Sequence, residues 1–517
     1  MTAPLAAGTV QSIDWLAIAP PTLAAVLGLA VLLADLWVPP ARKWLLGWLT
    51  VAGLALSTLA LLPLALGDDR ATFCLTSGPD ACSYVVDDFT LTVQLLVLGG
   101  ALLTALLSLP TLAEERLPAG EYGFLLMSSA AGAALLPAAR DLVTLVIALE
   151  VASLPSFALV GLRRGDRRSS EAALTFFLSS VTATAVMLLG VSFVYASSGA
   201  VHLDAVADGL RQLEHPQLGS LAAAGVGLTL VGFAFKAAAA PFHFWVPDSY
   251  VGAPLPIAAY LSVIGKAVGF TGLILVTVRA FPSHDQVWGP VLAVLAALTM
   301  TVGNVAALRQ VADRAHSAVR LLAWSSVAQA GYLLVPIAAA GRRGALADAV
   351  GATLTYALMY AVVNLGAFAV AAHVGRTRSA HSTDNRLTDY RALYARQPLA
   401  ALALAFFLLC LAGLPPGVVG LFAKVAVFQV AVDAGLGWLA VVMAVNVVLG
   451  LYYYLRWTAL LFRPAPEDAP ATGADIGVEA PRVGGPLATV IGLTAVLGLV
   501  LSGAPQLVLR FTGLPLF

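Results

Sequence analysis

The chain has 517 residues, a formal net charge of zero, 60% hydrophobic residues and 11% charged ones. Soluble globular domains carry about 25% charged residues, so the composition argues against a soluble fold. Zero net charge gives no electrostatic reason to expect a nucleic-acid partner, and three cysteines with no C-x-x-C pair or Cys/His cluster argue against an iron–sulfur or zinc site in this chain.

Apolar runs long enough to cross roughly 30 Å of hydrocarbon recur along the sequence. They predict an all-α polytopic membrane protein of about fourteen helices, at 15–38, 43–65, 88–112, 121–138, 141–162, 171–197, 221–250, 254–280, 288–308, 320–339, 345–374, 398–433, 436–462 and 485–507. Helices are the natural reading because backbone groups in lipid must bond within their own segment. The first run, near Trp15, has neither a basic region before it nor a small-residue cleavage site, so it reads as a helix that stays rather than a removed signal. The polar joints divide the chain into a three-helix segment (1–113), two five-helix units (114–282 and 283–463) and a C-terminal loop with the last helix (464–517).

Basic residues set the orientation. One set of alternate loops holds Arg42, Lys43, Arg116, Arg163, Arg164, Arg167, Arg168, Arg309, Arg314, Arg320, the five arginines from Arg376 to Arg396, and Arg456, Arg463 and Arg482. The other set, with both tails, holds Arg70, Arg140, Arg211, Arg279, Arg342, Arg343 and Arg510. The bias of 18 to seven places the first set in the cytoplasm and, for an even number of helices, both termini outside. Cys74 and Cys82 then share an external loop, where a disulfide can persist; a bridge and two free thiols both remain open.

Only four of the 28 basic residues are lysines. Lys43 is in a loop, whereas Lys236, Lys266 and Lys424 lie inside apolar helices, too deep to reach the headgroups easily. An ionisable side chain at mid-depth costs about 2.5–3.5 kcal/mol on insertion scales, so three of them call for a functional explanation. Lysine can give up its proton in an apolar site and arginine cannot, which suits proton carriage. Glu150, mid-way along predicted helix five, is the matching acid, and a Glu150–Lys236 pair would lower the cost of both charges. Charges that merely pin helices together are the plainer reading, but three lysines against one glutamate do not suit it.

Two predicted helices are interrupted beside lysines: the seventh by Pro241 and Pro247 after Lys236, the twelfth by Pro415-Pro416-Gly417 before Lys424. Proline removes a backbone donor, and carbonyls freed at membrane depth persist only where protein or water meets them. Helices four to eight and nine to thirteen thus form two blocks of five, each with a broken fourth helix carrying a lysine. An odd-numbered unit re-enters from the opposite face, the topology of an inverted repeat. The repeat is imperfect: where the first block has Glu150 and Lys266, the second offers Ser325, Ser326 and Gln329, and Asn446. Tyr356, Tyr360 and Asn364 recur at i, i+4 and i+8 and share one helix face, where with Thr353 they can line a wet path or bond between helices. His243 and His316, near cytoplasmic helix ends, are candidate relays or ordinary structural histidines.

The segment FAFKAAAAPFHFWVPDSYVGAPLPIAAYLSVIGKAVGF resembles the signature of the proton-translocating, antiporter-like membrane subunits of respiratory complex I, the NADH–quinone oxidoreductases. LEVASLPSFALVG around Glu150, LLAWSSVAQAGY and LAGLPPGVVGLFAK fit the same family, and the resemblance covers nearly the whole chain. It implies that Glu150 and Lys236 are the coupled pair of a first half-channel, Lys266 a central relay and Lys424 an exit-side lysine. Lysine rather than glutamate at 424 is similar to the branch called subunit N. The resemblance further implies a bacterial inner-membrane subunit of a translocase that itself performs no redox step. NADH, FMN, iron–sulfur clusters and quinone would belong to partner subunits of the membrane and peripheral arms, and the nearest neighbour would be another antiporter-like subunit. The sequence shows no Gly-rich dinucleotide turn and no redox ligand set. A cation/proton antiporter subunit, a membrane subunit of a hydrogenase-type complex and a non-transporting scaffold remain as alternatives.

Overall fold

Acidic caps start several of the apolar helices. The side chains of Asp87, Asp141 and Asp166 accept hydrogen bonds from the backbone N–H groups of Thr90, Thr144 and Arg168, donors that the helix itself leaves unpaired. The computed structural model describes residues 13–75, 81–213, 215–342, 346–378, 384–464 and 483–510. The middle of the Cys74–Cys82 loop, Arg343 and Arg482 of the orientation count, and parts of the 1–113 and 464–517 segments lie outside these residues.

In chain order the principal helices are α1 Ala19–Ala34, α2 Trp44–Leu59, α3 Asp88–Glu114, α4 Ala119–Leu135, α5 Leu142–Val160 and α6 Arg167–Ser198. They continue with α7 Pro216–Lys236, α8 Trp245–Gly252, α9 Leu255–Ala280 and α10 Asp285–Leu308. The last are α11 Ser317–Ala339, α12 Leu346–Arg378, α13 Pro398–Ala412, α14 Val418–Asp433, α15 Gly437–Phe462 and α16 Gly485–Gly503. Among the described residues, 11 helices are long and apolar enough to cross a membrane, and Ala19–Ala34 and Pro398–Ala412 are shorter apolar helices. Three helices, α9, α11 and α12, are buried along most of their length and form the centre of the fold.

The two predicted breaks are present, and the structure adds a hairpin and a short helix to the sequence reading. Predicted helices 221–250 and 398–433 are each divided in two, by residues 237–244 and 413–417. In the loop that holds the two cysteines, β1 Arg70–Cys74 and β2 Cys82–Val86 pair as an antiparallel hairpin, and a disulfide joins Cys74 to Cys82. Burial alternates along β2, with Cys82, Tyr84 and Val86 inward, and among the described residues this hairpin is the one sheet. A short helix, Leu203–Arg211, buries Leu203, Val206, Ala207 and Leu210 at helical spacing.

Close approach of α6 and α7 positions the site described next. A Cβ on Gly190 would stand 2.4 Å from the Thr229 backbone nitrogen, and one on Gly225 2.9 Å from that of Val194. Only glycine lets the two backbones meet at this distance, and the contact holds one face of α6 against the end of α7.

Candidate functional site

All three interior lysines are buried: Lys236 is 5%, Lys266 1% and Lys424 7% exposed. Each solves the problem of a buried ammonium differently.

Lys236 is the last residue of α7, where the helix breaks. Its Nζ donates to Ser180 Oγ of α6 at 2.8 Å and lies 5.1, 5.5 and 5.8 Å from the ring centroids of Phe157, Phe176 and Phe235. Rings with their faces toward a cation attract it through their quadrupoles. The break itself is satisfied by other groups: Trp245 Nε1 donates to the Phe235 carbonyl at 3.2 Å, and the Ala240 N–H to Thr299 Oγ1 at 2.8 Å. Glu150, half-buried in the middle of α5, accepts from Thr184 Oγ1 at 2.7 Å. The carboxylate is within electrostatic range of Lys236, but the two groups share no direct ion pair. A cavity of about 20 Å³, enough for one water, separates Lys236 and Trp245 from α9 at Tyr260, Leu261 and Gly265. Tyr260 in turn donates to Ser129 Oγ at 2.8 Å.

Lys266 follows a π-helical segment, Leu261–Gly265, in α9. Irregular turns of this kind concentrate at functional sites. Its Nζ donates to the carbonyl oxygen and the hydroxyl of Ser326 on α11. The same Ser326 hydroxyl meets Tyr360 Oη of α12 at 2.9 Å and Tyr250 Oη of α8 at 3.3 Å. On the adjacent residue, Ser325 Oγ pairs with Tyr454 Oη of α15 at 2.5 Å, and about one turn further along Gln329 Nε2 donates to the same Tyr454 Oη at 3.0 Å. Gln329 Oε1 accepts from Tyr356, whose ring stacks on Tyr332 with centroids 6.1 Å apart. Tyr332 faces Lys424 Nζ at 5.7 Å. The Ser326–Tyr360 cluster and the Ser325–Tyr454–Gln329–Tyr356 cluster adjoin on α11, with no hydrogen bond joining them among the described residues, and with the Tyr332 ring they form a polar ribbon between Lys266 and Lys424. Asn364 continues the α12 stripe and donates to Ser262 Oγ at 2.6 Å, while Thr353 bonds back to its own helix at Ala349.

Lys424 lies in α14 just past the second break. Its Nζ donates to the carbonyls of Leu411 and Ala412 at 2.7 and 2.8 Å. These are the unpaired carbonyls at the C-terminal, partly negative end of α13. Among the described residues no acid is paired with it. Asn446 of α15 pairs with Asn304 at 2.9 Å, and Tyr453 Oη donates to Asn304 Oδ1 at 3.0 Å.

The two histidines are apart from the lysines. His243 lies inside the first break rather than at a helix end, its ring against Trp324 with centroids 5.5 Å apart. His316 precedes α11 with φ +59° and accepts at Nε2 from Arg168 Nη1 at 2.7 Å. Burial first, then the positive charge of Arg168, holds its imidazole below the ordinary histidine value. His316 borders a vestibule of about 670 Å³ together with Arg163, Arg168 and Glu115, and Tyr250 is part of its wall. The sequence reading overlooked Ser180, Thr184, Tyr250, Tyr332 and Tyr454. The signal available for the first two was their i, i+4 spacing on predicted helix six.

Residues 139–450, more than half of the chain, match the family described as "NADH:quinone oxidoreductase/Mrp antiporter, TM". The chain is 70% identical to NADH-quinone oxidoreductase subunit N 2 of Streptomyces griseus, over 99% of its own length and 96% of that protein's. It is similar to a chain of respiratory complex I from Thermus thermophilus, solved with bound aureothin: 34% identity, TM-score 0.73, covering 95% of this chain and 98% of that one. A chain of the Mrp complex from a Dietzia species shares the fold at 22% identity, with a TM-score of 0.80 over 96% of each chain. The chain belongs to the subunit N family of NADH-quinone oxidoreductase.

Proposed function

We propose that this subunit carries protons across the membrane through Glu150, Lys236, Lys266 and Lys424. Membership of the family makes the chain a proton-pumping membrane subunit of complex I. The observation that carries the assignment of residues is the set of polar side chains between Lys266 and Lys424: Ser326 with Tyr360, then Gln329 with Tyr356, then the Tyr332 ring against Lys424, most of them on the deeply buried α11 and α12.

In this reading a change in field from a neighbouring subunit alters the attraction between Glu150 and Lys236. Weakening it drives the Lys236 proton toward Lys266, by way of the small cavity against α9. From Lys266 the proton follows the ribbon to Lys424 and leaves on the external side. Strengthening the attraction reloads Lys236 from the cytoplasm. Tyr250, which reaches from the vestibule wall to Ser326, and His316 at the vestibule rim are candidate relays on the cytoplasmic side, and His243 is a weaker one.

The same reading counts α7 with α8, and α13 with α14, as single broken crossings, for fourteen in all. The blocks 114–282 and 283–463 are then inverted repeats, and both termini are external to the bacterial inner membrane. Glu150 supports a protein neighbour: it is a half-buried carboxylate at mid-height of a flank where Ile147, Val151 and Leu154 are exposed. A charge at that depth favours cover by protein over lipid. The neighbour suggested is another antiporter-like subunit. NADH, FMN, iron–sulfur clusters and quinone are assigned to other subunits.

The test is Lys236→Ala in the assembled complex, measuring protons moved per electron and NADH–quinone turnover in sealed vesicles. The expected result is a loss of about tenfold or more in coupled turnover, equivalent to at least ~1.4 kcal/mol on the limiting step. Wild-type pumping and turnover would remove Lys236 from the pathway.

A further inference from the structure

Phe176, Ser180 and Thr184 recur at i, i+4 and i+8, so they form one stripe on α6. Both charged groups of the first half-channel are fastened to this stripe. Lys236 sits against Phe176 and donates to Ser180, and Glu150 accepts from Thr184. The two anchors are one turn apart, about 6 Å along the helix axis. Each hydroxyl therefore holds its charge in a separate slot, and the pair stands open although both members are close enough to feel one another.

The contacts are not the usual ones for hydroxyls in this helix. Ser179, Thr182 and Ser192 donate to carbonyls one turn back on α6 itself, which satisfies the hydroxyl and leaves neighbouring helices alone. Ser180 and Thr184 bond across to α7 and α5 instead. Hydrogen bonds to charged groups contribute about 1.5–3 kcal/mol, comparable to what a partly screened ion pair would contribute by closing. Two such bonds are enough to decide between an open and a closed pair.

We propose that Ser180 and Thr184 are positioning residues that keep Glu150 and Lys236 apart, and so set how readily Lys236 passes its proton on. This rests on the reading of Glu150 and Lys236 given above. Without the Thr184 hydroxyl, the Glu150 carboxylate turns to Lys236, the pair closes and the proton is held. Without the Ser180 hydroxyl, Lys236 has lost its hydrogen-bond acceptor and turns to Glu150, with the same consequence.

Thr184→Val keeps the side-chain shape and removes only the hydroxyl. Complex carrying it assembles in wild-type amount, and its proton-coupled turnover falls by about tenfold, the weight of one charge-assisted hydrogen bond. Thr184→Ser restores turnover, and Ser180→Ala reproduces the defect. With Glu150→Gln already present, Thr184→Val adds nothing further, a dependence that a packing role would not produce. Wild-type turnover in both Thr184→Val and Ser180→Ala, or a full additional loss on the Glu150→Gln background, overturns the proposal. A Lys236→Ala control separates the two levels. If it abolishes pumping while Thr184→Val and Ser180→Ala do not alter it, only the positioning role fails; if it leaves pumping intact, the transport reading fails and this one with it.

Discussion

Lys236 and Lys424 each stand beside a helix break, yet they have different work to do. At the second break the lysine caps the carbonyls of Leu411 and Ala412, so it closes the end of α13 as well as carrying charge. At the first break the Phe235 carbonyl accepts from the Ala238 N–H and from Trp245, and Lys236 makes no bond to the helix end. It is left with one hydroxyl, three phenylalanine rings and a carboxylate just out of contact. The same backbone device thus binds the lysine to a helix end at one break and leaves it clear of the backbone at the other. The half with the freed lysine is also the one with an acid beside it.

This contrast can be broken by substitutions that separate charge from proton release. The largest difference is expected for Lys424→Met. Leaving two buried carbonyls without a donor costs about 1–3 kcal/mol each, so both assembly and pumping fall, measured as intact complex after solubilisation and as proton flux. Lys236→Met leaves no carbonyl exposed and is expected to abolish pumping by about tenfold or more while complex of normal abundance assembles. Equal assembly defects in the two variants would dissolve the distinction. Next in size, Tyr356→Phe removes the donor to Gln329 and interrupts the ribbon toward Lys424; coupled turnover should drop several-fold, with Lys236-dependent steps unaffected. The smallest effect is expected for His316→Gln. The imidazole is held below its ordinary value, so it is neutral at pH 7 and a neutral acceptor can replace it in the contact with Arg168. Turnover at pH 7 should stay within about twofold of wild type. As pH falls, protonated His316 would repel Arg168 and glutamine cannot, so the variant should lose less activity in acid than the wild type.

The spans and the four charges were legible because each violates its surroundings: an apolar run is unmistakable in length, and a lysine inside one is costly. The breaks were legible for a similar reason, through Pro241 and Pro415-Pro416. Other elements carry weaker marks. Leu203–Arg211 is too short to register in a search for membrane-length runs, although its apolar residues have helical spacing. The hairpin at 70–86 hides in a polar loop whose pairing depends on a register set by long-range contact, including the buried Arg140–Asp87 ion pair at 2.5 Å beneath it. Ser180 and Thr184 look like any hydroxyls in an apolar helix, since most of those bond to their own backbone. The crossing at Gly190 and Gly225 sets which of them face α7, and the packing of α5 on α6 sets which face Glu150. Tyr332, Tyr356 and Tyr454 come from three separate helices and come together only after α11, α12 and α15 have packed.

The central claim is that a buried lysine must shed its proton for this subunit to work, and Lys266 isolates it. Lys266→Arg keeps a positive charge and donors for Ser326 but holds its proton throughout. Reconstituted in proteoliposomes with the rest of the complex, it should assemble normally and move fewer protons per NADH oxidised, with turnover reduced about tenfold or more. Wild-type proton stoichiometry and rate with arginine at 266 would contradict the account.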